Sequence, residues 1–320
     1  MPVKVSVIVP VHNSQNTIAG CLDSLVNQTL QEIRIIAVND ASTDQSLNIL
    51  EQYALQYHDK LRIINSGDNL GAGGARNLGI KEAEGEYIGF VDSDDMVDVH
   101  MFEKLYQKAV EEDYDMVDTA FYNTETGKAV ISVDDIYTGV MTPDKRKKLI
   151  IVGGYIWSRI YKRDFLEKNG ICFRPGVKLE DADFLIKANL AAGRIANVKE
   201  VLYVYNNTKT SASWSVNKAD DKEFYNIVEL IKAVGGIFSV NPEYENYRTE
   251  LEAIILRLYG TAVQCCIKEG GVSAENLMKI KEARNIKKDT VKGGYDNPYI
   301  GQSMGNDVTE LLKYIDGLEI

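Results

Sequence analysis

The segment GFVDSDDMVD, residues 89–98, places four acidic side chains within seven positions directly behind an apolar run. Alternate side chains of a strand share one face, so Asp92 and Asp94 are predicted to project together. Two carboxylates that close repel each other unless a cation or several hydrogen-bond donors lie beside them. Mg²⁺ or Mn²⁺ would suit this position, because hard cations take oxygen ligands and complete their shell with substrate phosphates. A capped turn is the alternative, since Asp and Ser are common where strands end.

A glycine-rich segment, GAGGAR at residues 71–76, precedes the acidic cluster. It is similar to the dinucleotide fingerprint G-x-G-x-x-G, but Arg76 stands in place of the third glycine and SGDNL separates the glycines from the preceding strand. These differences argue against a nicotinamide or flavin enzyme. We expect the glycines to let backbone amides and Arg76 approach a phosphate at a helix N-terminus. A solvated helix position is the alternative for Arg76.

The first hundred residues alternate between apolar runs and segments of helical periodicity. Runs rich in valine and isoleucine predict buried strands at 4–11, 33–40, 61–65 and 87–92. Helices are predicted between them, and the whole predicts an α/β fold with a mostly parallel, doubly wound sheet. Such sheets bind ligands beyond the carboxyl ends of their strands, where this chain places four polar segments: Pro10–Asn13, Asn39–Asp44, Asn65–Gly74 and Asp92–Asp95. This convergence favours a ligand site over a capped turn.

A second pair of acids lies in KLEDADFLIKANLAAG, residues 178–193. The apolar spacing predicts a helix from about Leu179 to Ala192, with Glu180 and Asp181 in its first turn. Acids at helix starts commonly interact with the helix dipole alone, and the residues by themselves favour that interpretation.

The remaining elements are less regular. Strands are predicted at 115–123 and near 195–205, with a hairpin within 123–140. From about residue 217 the chain is predicted to be helical, with breaks at Gly235–Gly236 and Gly270–Gly271.

Composition limits the class of protein. The chain has 320 residues, enough for two or three subdomains, and its formal net charge of −11 argues against nucleic acid as a partner. Four cysteines without metal-ligand spacing indicate reduced thiols and a cytoplasmic location. We expect no signal peptide and no membrane span. The basic run DKRKK (144–148) predicts a solvated helix face, or contact with an anionic acceptor or a membrane surface.

Three segments carry a family resemblance: SVIVPVHNSQNTIAGCLDSLVNQTLQEIRIIAVNDASTDQSLNIL, NLGAGGARNLGIKEAEGEYIGFVDSDD and LEDADF. Together they resemble the family 2 glycosyltransferases, inverting enzymes of the GT-A fold that use nucleotide sugars. The similarity covers roughly residues 4–215. It implies a nucleotide-sugar-binding half at 1–98, an acceptor-binding and catalytic-base half at 99–215, and a C-terminal helical region at 216–320.

The resemblance also implies roles on the donor side. Pro10 and Val11 would offer backbone groups to a uracil, and His12 would stack on it, although a packing role is equally open to this histidine. Asp40 would accept the uracil N3–H; capping of the following helix is the alternative for this residue. The remaining donor contacts implied are Arg76 with the diphosphate, Asp92 and Ser93 with the ribose or a metal-bound water, and Asp94 with Mn²⁺ or Mg²⁺.

On the acceptor side the resemblance makes Asp181 the general base and assigns Glu180 to orientation or acceptor contact. Trp157, in GGYIWSRIY (153–161), would stack on an acceptor sugar; burial in the core is the alternative. NNTKTSASW (206–214) could close over the donor.

The activity implied is transfer of a hexosyl or N-acetylhexosaminyl group from a UDP-sugar to a hydroxyl of a glycan, glycolipid or polyol-phosphate. Peripheral membrane association and a homo-oligomer are further expectations. Two alternatives remain: a catalytically silent nucleotide-sugar-binding scaffold, and a nucleotidyltransferase on a similar sheet. The second would need a G-x-G-T-R-type loop after the first strand, which PVHNSQNT does not resemble.

Overall fold

A computed structural model describes residues 2–206, 221–267, 272–300 and 306–317. The chain divides into two compact units, Met1–Ala212 and Ser213–Ile320. The first is an α/β unit and the second is helical.

One sheet organises the first unit. Its strands, in the described part of the chain, are β1 (Val5–Val11), β2 (Ile33–Asn39), β3 (Leu61–Asn65), β4 (Tyr87–Phe90), β5 (Met96–Val97), β6 (Met116–Asn123), β7 (Lys128–Val130), β8 (Gly139–Val140), β9 (Arg159–Lys162) and β10 (Arg194–Tyr205). Their order is β3-β2-β1-β4-β9-β6-β10-β5, with β7 paired to β6 and β8 to β10. Strands β1 to β4, β6 and β10 run in one direction, and the short remaining strands run against them. The predicted mostly parallel α/β sheet is confirmed.

Helices connect and cover these strands. They are α1 (Ile18–Val26), α2 (Ser46–Gln56), α3 (Gly71–Lys81), α4 (Met101–Glu111), α5 (Pro143–Val152), α6 (Arg163–Lys168) and α7 (Glu180–Ala191). The valine-rich strand β1 is buried at all but one of its positions, as expected of a strand covered on both faces. Helix α3 lies directly on it, because a Cβ at Gly79 would meet Ile8 Cγ2 at 2.4 Å. This close packing fixes α3, and with it Arg76, above the sheet.

The second unit contains α8 (Asp221–Val240), α9 (Arg248–Cys266), α10 (Ala274–Thr290) and α11 (Asn306–Gly317). The predicted break at Gly235–Gly236 is wrong, since both glycines lie inside α8. Gly235 serves close packing instead: a Cβ there would meet Thr290 Cγ2 of α10 at 2.5 Å. The predicted break at Gly270–Gly271 lies outside the described residues. Within the described residues, every helix is too short or too polar to cross a membrane.

Candidate active site

The acidic cluster forms a tight turn at the end of β4. The Asp95 N–H donates to the Asp92 carbonyl at 3.0 Å, and Asp95 itself is buried. Its carboxylate accepts hydrogen bonds from the Tyr203 hydroxyl at 2.6 Å and from the Asn206 N–H at 2.7 Å. Burial raises the pKa of Asp95 to about 8, and the Asp92 and Asp94 charges add to the rise, although both hydrogen bonds oppose it. Asp95 therefore anchors the end of β10 to the turn.

Asp92 is joined to α7 by an arginine. Arg76 Nη2 donates to Asp92 Oδ1 at 2.7 Å, and Arg76 Nη1 donates to Glu180 Oε1 at 2.6 Å. These pairs connect residues 16 and 104 positions apart in the chain. Burial opposes the charge on Arg76, but the Asp92 and Glu180 carboxylates raise its pKa above the ordinary value. The bridge brings the two acidic motifs of the sequence into one cluster.

Asp181 lies beside this bridge, in the first turn of α7. Removal from bulk water raises the pKa of Asp181 to about 6. The Glu180 charge adds to the rise, the Arg76 guanidinium lowers the pKa, and the Asp92 charge raises it again. Among the described residues, no side chain donates a hydrogen bond to Asp181 or forms an ion pair with it. Asp181 is partly exposed, has a raised pKa and has no side-chain partner among the described residues, and these are properties required of a general base.

The glycines of residues 71–76 have a packing role at this junction. A Cβ at Gly73 would lie 2.5 Å from the Arg174 carbonyl oxygen and 2.8 Å from Glu180 Cγ. The Gly176 N–H also donates to the Leu70 carbonyl at 3.0 Å. We expected these glycines to let backbone approach a phosphate; the structure shows that Gly73 lets α3 contact the start of α7.

The ends of β1 and β2 form a separate part of the cluster. Asp40 is buried, and its Oδ1 accepts the Leu70 N–H at 2.8 Å. His12 Nδ1 donates to the Asp40 carbonyl at 2.6 Å, which leaves Nε2 free to accept from Asn69 Nδ2 at 3.2 Å. The imidazole is exposed but held at both nitrogens. A ring fixed in this way is suited to stacking on a planar ligand.

The other donor-side residues lie around the same strand ends. Pro10 is partly exposed and Val11 is buried in β1, with the Val11 carbonyl accepting the Asp40 N–H at 2.8 Å. Ser93 and Ser14 share a hydrogen bond of 2.7 Å between their hydroxyls. The structure thus places the predicted nucleotide-binding residues, other than Arg76 on α3, at the carboxyl ends of β1, β2 and β4.

Trp157 lies in an aromatic cluster. It stacks on Tyr155, Tyr203 and Tyr205, with ring centroids 4.7, 4.4 and 5.4 Å away, and it meets Phe121 edge-on. Trp157 itself is only 7% exposed, whereas Tyr155 is 41% exposed. Little of the tryptophan is left to contact an acceptor, so Tyr155 presents the larger free aromatic surface.

Sequence reasoning missed the network that supports this cluster. Arg159 is fully buried, and its Nε, Nη1 and Nη2 donate to Asp118, Asn189 and the Gly153 carbonyl at 3.0, 3.1 and 3.1 Å. Ser158 donates to Asp118 at 2.7 Å. The signal available in the sequence was the segment GGYIWSR (153–159), with two glycines before a serine and an arginine. The arginine fixes the glycine loop that carries Tyr155.

Asp94 is the predicted ligand of a divalent cation. Asp94 is partly exposed at the turn, and both its charge and that of Asp92 act on Asp95, so three carboxylates lie close together. No group of three or more His, Cys, Asp or Glu side chains placed to hold a metal occurs in the described part of the chain. Mg²⁺ is commonly bound by one or two carboxylates plus substrate phosphates, and Asp94 fits a site of that kind. The segment 206–214 was predicted to close over the donor, and all of it except Asn206 lies outside the described residues.

Comparison with protein-family models matches residues 6–170 to Glycosyl transferase family 2. The putative glycosyltransferase EpsH of Bacillus subtilis is 33% identical over 291 residues, 88% of this chain and 81% of that protein. The uncharacterized glycosyltransferase EpsJ of the same organism is 35% identical over 215 residues, and the match covers 65% of this chain and 62% of EpsJ. A poly(ribitol-phosphate) beta-glucosyltransferase of Bacillus spizizenii is 34% identical over 250 residues, 72% of this chain and 37% of that protein.

Among solved structures, residues 1–349 of Staphylococcus aureus TarS in complex with UDP-GlcNAc superpose with a TM-score of 0.68. The match covers 98% of this chain and 90% of the TarS chain at 21% sequence identity. At this identity the likeness establishes the fold.

Proposed function

Because the chain belongs to glycosyl transferase family 2, we propose that it transfers a sugar from a UDP-sugar to a hydroxyl group, with inversion at the anomeric carbon. The acceptor we propose is a glycan, a glycolipid or a polyol-phosphate. The named activity of the ribitol-phosphate relative and the UDP-GlcNAc bound to TarS support this choice of acceptor and donor.

One observation carries the proposal: the Arg76 bridge joins Asp92 of the donor side to Glu180, and the adjacent Asp181 has no side-chain partner among the described residues. Transfer with inversion needs a base on the acceptor side, opposite the leaving group. The acceptor oxygen forms a bond to the anomeric carbon while the bond to the diphosphate breaks. Asp181 takes the acceptor proton, and UDP leaves with the bonding electron pair.

Donor binding is assigned to the ends of the parallel strands. The Leu70 N–H occupies only Oδ1 of Asp40, so we assign Oδ2 to the uracil N3–H. His12 would stack on the base, Pro10 and Val11 would offer backbone groups, and Asp92 and Ser93 would hold the ribose. A divalent cation bound at Asp94 would supply positive charge to the leaving diphosphate.

Acceptor binding is assigned to the aromatic cluster and the start of α7. Trp157 was the predicted acceptor contact, but it is almost fully buried, so we assign the contact to Tyr155, which stacks on it. Glu180 is assigned to orientation, since its carboxylate is already paired with Arg76. Cytoplasmic location, peripheral membrane association and self-association stay predictions.

The test is a UDP-release assay with UDP-glucose, UDP-galactose, UDP-N-acetylglucosamine, UDP-N-acetylgalactosamine and UDP-glucuronate, with and without Mn²⁺. We expect turnover with at least one donor, dependent on the metal. Asp181→Asn should lower kcat by about 10²- to 10⁴-fold, as loss of a general base does, while UDP binding by calorimetry is kept. Asp164→Asn is the matched control, because Asp164 is a first-turn acid of α6 and is exposed. Equal rates for Asp181→Asn and the wild type would overturn the assignment, and no turnover with UDP binding intact would indicate a silent binder.

A further inference from the structure

Arg76 is enclosed by protein on every nitrogen. Its side chain is 6% exposed, Nη1 and Nη2 each donate to a carboxylate, and Nε is buried without a hydrogen-bond partner among the described residues. The guanidinium also lies over the Phe173 ring, 5.4 Å from its centroid. To bind a diphosphate, Arg76 would have to leave Glu180, which is 12% exposed, as an unpaired buried charge. Breaking one partner from a buried ion pair is strongly unfavourable.

The surroundings of Arg76 connect α3 to the segment that begins α7. Asn77 Nδ2 donates to the Phe173 carbonyl at 2.8 Å, and Asn77 Oδ1 accepts the Phe173 N–H at 3.0 Å. Leu179, which precedes α7, has a φ of +59°, a left-handed conformation that costs a non-glycine residue free energy. A strained helix start needs contacts that hold it, and the Arg76–Glu180 pair is one of them.

We propose that Arg76 is a positioning residue for the base: it holds the first turn of α7 against the end of β4 and supplies the positive charge that faces Asp181. This inference rests on the proposed role of Asp181. It replaces diphosphate binding as the role of Arg76.

The charges around Asp181 determine the direction in which its pKa should change when one of them is removed. Glu180 on the same helix and Asp92 after β4 are negative, and Arg76 on α3 is positive. The Tyr161 hydroxyl on β9 also faces this region, and burial keeps its pKa above the ordinary value, so it stays neutral. Asp183, further along α7, is already paired with Arg174 and Lys187 at 2.7 and 2.9 Å.

Two substitutions within one ion pair should therefore act in opposite directions. Arg76→Met removes the cation and leaves two acids, so the pKa of Asp181 should rise by about one unit, as loss of a nearby opposite charge does. Glu180→Gln removes the nearest like charge, so the pKa of Asp181 should fall by a similar amount. Arg76→Lys keeps the charge but loses the two-pronged geometry, and it should leave the pKa nearly unchanged while lowering kcat. A general loss of folding would move both ends of the pair the same way.

The first readout is the pH dependence of kcat for UDP release with Mn²⁺, using whichever of the five UDP-sugars turns over. The acid limb should move to higher pH in Arg76→Met and to lower pH in Glu180→Gln. Unmoved limbs in both variants would overturn the proposal.

The second readout does not need turnover. The difference in melting temperature between each protein and the same protein carrying Asp181→Asn is measured from pH 4 to pH 8. Because the folded-state pKa of Asp181 is raised, ionised Asp181 costs stability, and the difference grows from the unfolded-state pKa upward and levels off at the folded-state pKa. It should level near pH 6 in the wild type, about one unit higher with Arg76→Met and lower with Glu180→Gln. If Arg76→Met does not fold, Arg76→Lys and Glu180→Gln still give a result.

The third readout separates positioning from phosphate binding. Calorimetry with UDP and with UMP, in the presence of Mn²⁺, gives the affinity contributed by the second phosphate. A positioning Arg76 predicts the same UDP-to-UMP ratio in Arg76→Lys, Arg76→Met and the wild type. A ratio that falls tenfold or more would overturn the proposal in favour of diphosphate contact. Absence of turnover in the wild type would count against the proposed function. The pH at which the melting-temperature difference levels off would still decide the role of Arg76.

Discussion

At the scale of single residues, the site depends on carboxylates that the protein partly or fully removes from water. Asp95 and Asp181 both have raised pKa values, and burial is the main cause in each. Their hydrogen bonding differs. Asp95 accepts from Tyr203 and Asn206, whereas no side chain among the described residues is paired with Asp181. The two acids therefore suit different tasks, one structural and the other catalytic.

The pKa of Asp181 sets the working pH of the proposed enzyme. A base with a pKa of about 6 is mostly ionised at pH 7 and mostly protonated at pH 5. We expect kcat to fall about tenfold from pH 7 to pH 5, because the rate follows the ionised fraction of the base. Initial rates of UDP release at saturating donor measure this. A rate that is flat across the interval would exclude Asp181 as the base.

The hydroxyl of Tyr203 should contribute to stability. Its hydrogen bond to Asp95 is 2.6 Å long and fully buried, so Tyr203→Phe leaves a buried acceptor without its donor. We expect a loss of about 1–2 kcal/mol in the free energy of unfolding, measured in urea. Tyr122→Phe is the control, because Tyr122 is 39% exposed and should change little. Equal stabilities for the two variants would argue that the Asp95 contact contributes nothing.

Sequence reasoning found the acids but not their connections. Local periodicity located Asp92 and Asp94 at a strand end and Glu180 and Asp181 at a helix start, but the role of Asp181 as the base was implied only by the family resemblance. The partner of Arg76 could not be predicted from the sequence, because Glu180 lies 104 positions away and an arginine in a helix is equally compatible with solvent. Tyr203 was missed for the same reason, since nothing local distinguishes it from the other apolar residues of β10.

At the scale of elements, the site depends on the packing contact between α3 and α7, which we call the α3–α7 joint. Strands β1 to β4, β6 and β10 and helix α7 were predicted within about two residues, since valine-rich runs and apolar stripes of 3.6 residues are local signals. The short strand β9, in the middle of the sheet, was not predicted. The packing of one element on another is not local. Glycine positions illustrate this, because Gly73 and Gly235 are required by neighbours that the chain reaches much later.

Gly73→Ala tests the joint. The new Cβ would meet the Arg174 carbonyl oxygen at 2.5 Å, and a backbone oxygen cannot rotate away. We expect α3 and α7 to separate, with a loss of about 1–3 kcal/mol in stability and at least tenfold in kcat. Gly20→Ala in α1 is the control, because its nearest neighbour would be Met96 Sδ at 3.8 Å, an ordinary contact. Full activity in Gly73→Ala would show that the helix start tolerates displacement.

The adjacent glycines of α8 give a contrast within one helix. A Cβ at Gly236 meets nothing within 4 Å, so Gly236→Ala should stabilise the protein by about 0.5–1 kcal/mol through helix propensity. Gly235→Ala should be less stable than Gly236→Ala, because its Cβ would lie 2.5 Å from Thr290 Cγ2, on a β-branched side chain with little freedom. Thermal unfolding of the two variants measures the difference. The reverse order would mean that α8 and α10 do not pack at Gly235.

At the scale of the whole molecule, the likeness to TarS confirms the GT-A type of fold that the sequence resemblance implied. The family model ends at residue 170, before Glu180 and Asp181, so the base candidate depends on the sequence resemblance and on the structure. The helical unit, Ser213–Ile320, carries none of the residues assigned to donor, acceptor or base. Apolar stripes predict the helices of this unit but no role for it, because such a stripe specifies burial and not a ligand.

This division leads to a prediction for a fragment comprising residues 1–212. All proposed donor contacts lie in this unit, and its sheet and helices enclose a core of more than fifty buried apolar side chains, from Val5 to Tyr203. A chain of about 200 residues with such a core is large enough to fold alone. We expect the fragment to show cooperative thermal unfolding and to bind UDP within about threefold of the full chain, which calorimetry at equal Mn²⁺ concentration measures. Asp40→Ala in the fragment should abolish binding, as in the full chain, because the uracil contact lies within the fragment. A folded fragment without UDP affinity would mean that the helical unit completes the donor site, and the assignment of donor binding to the strand ends alone would then be wrong.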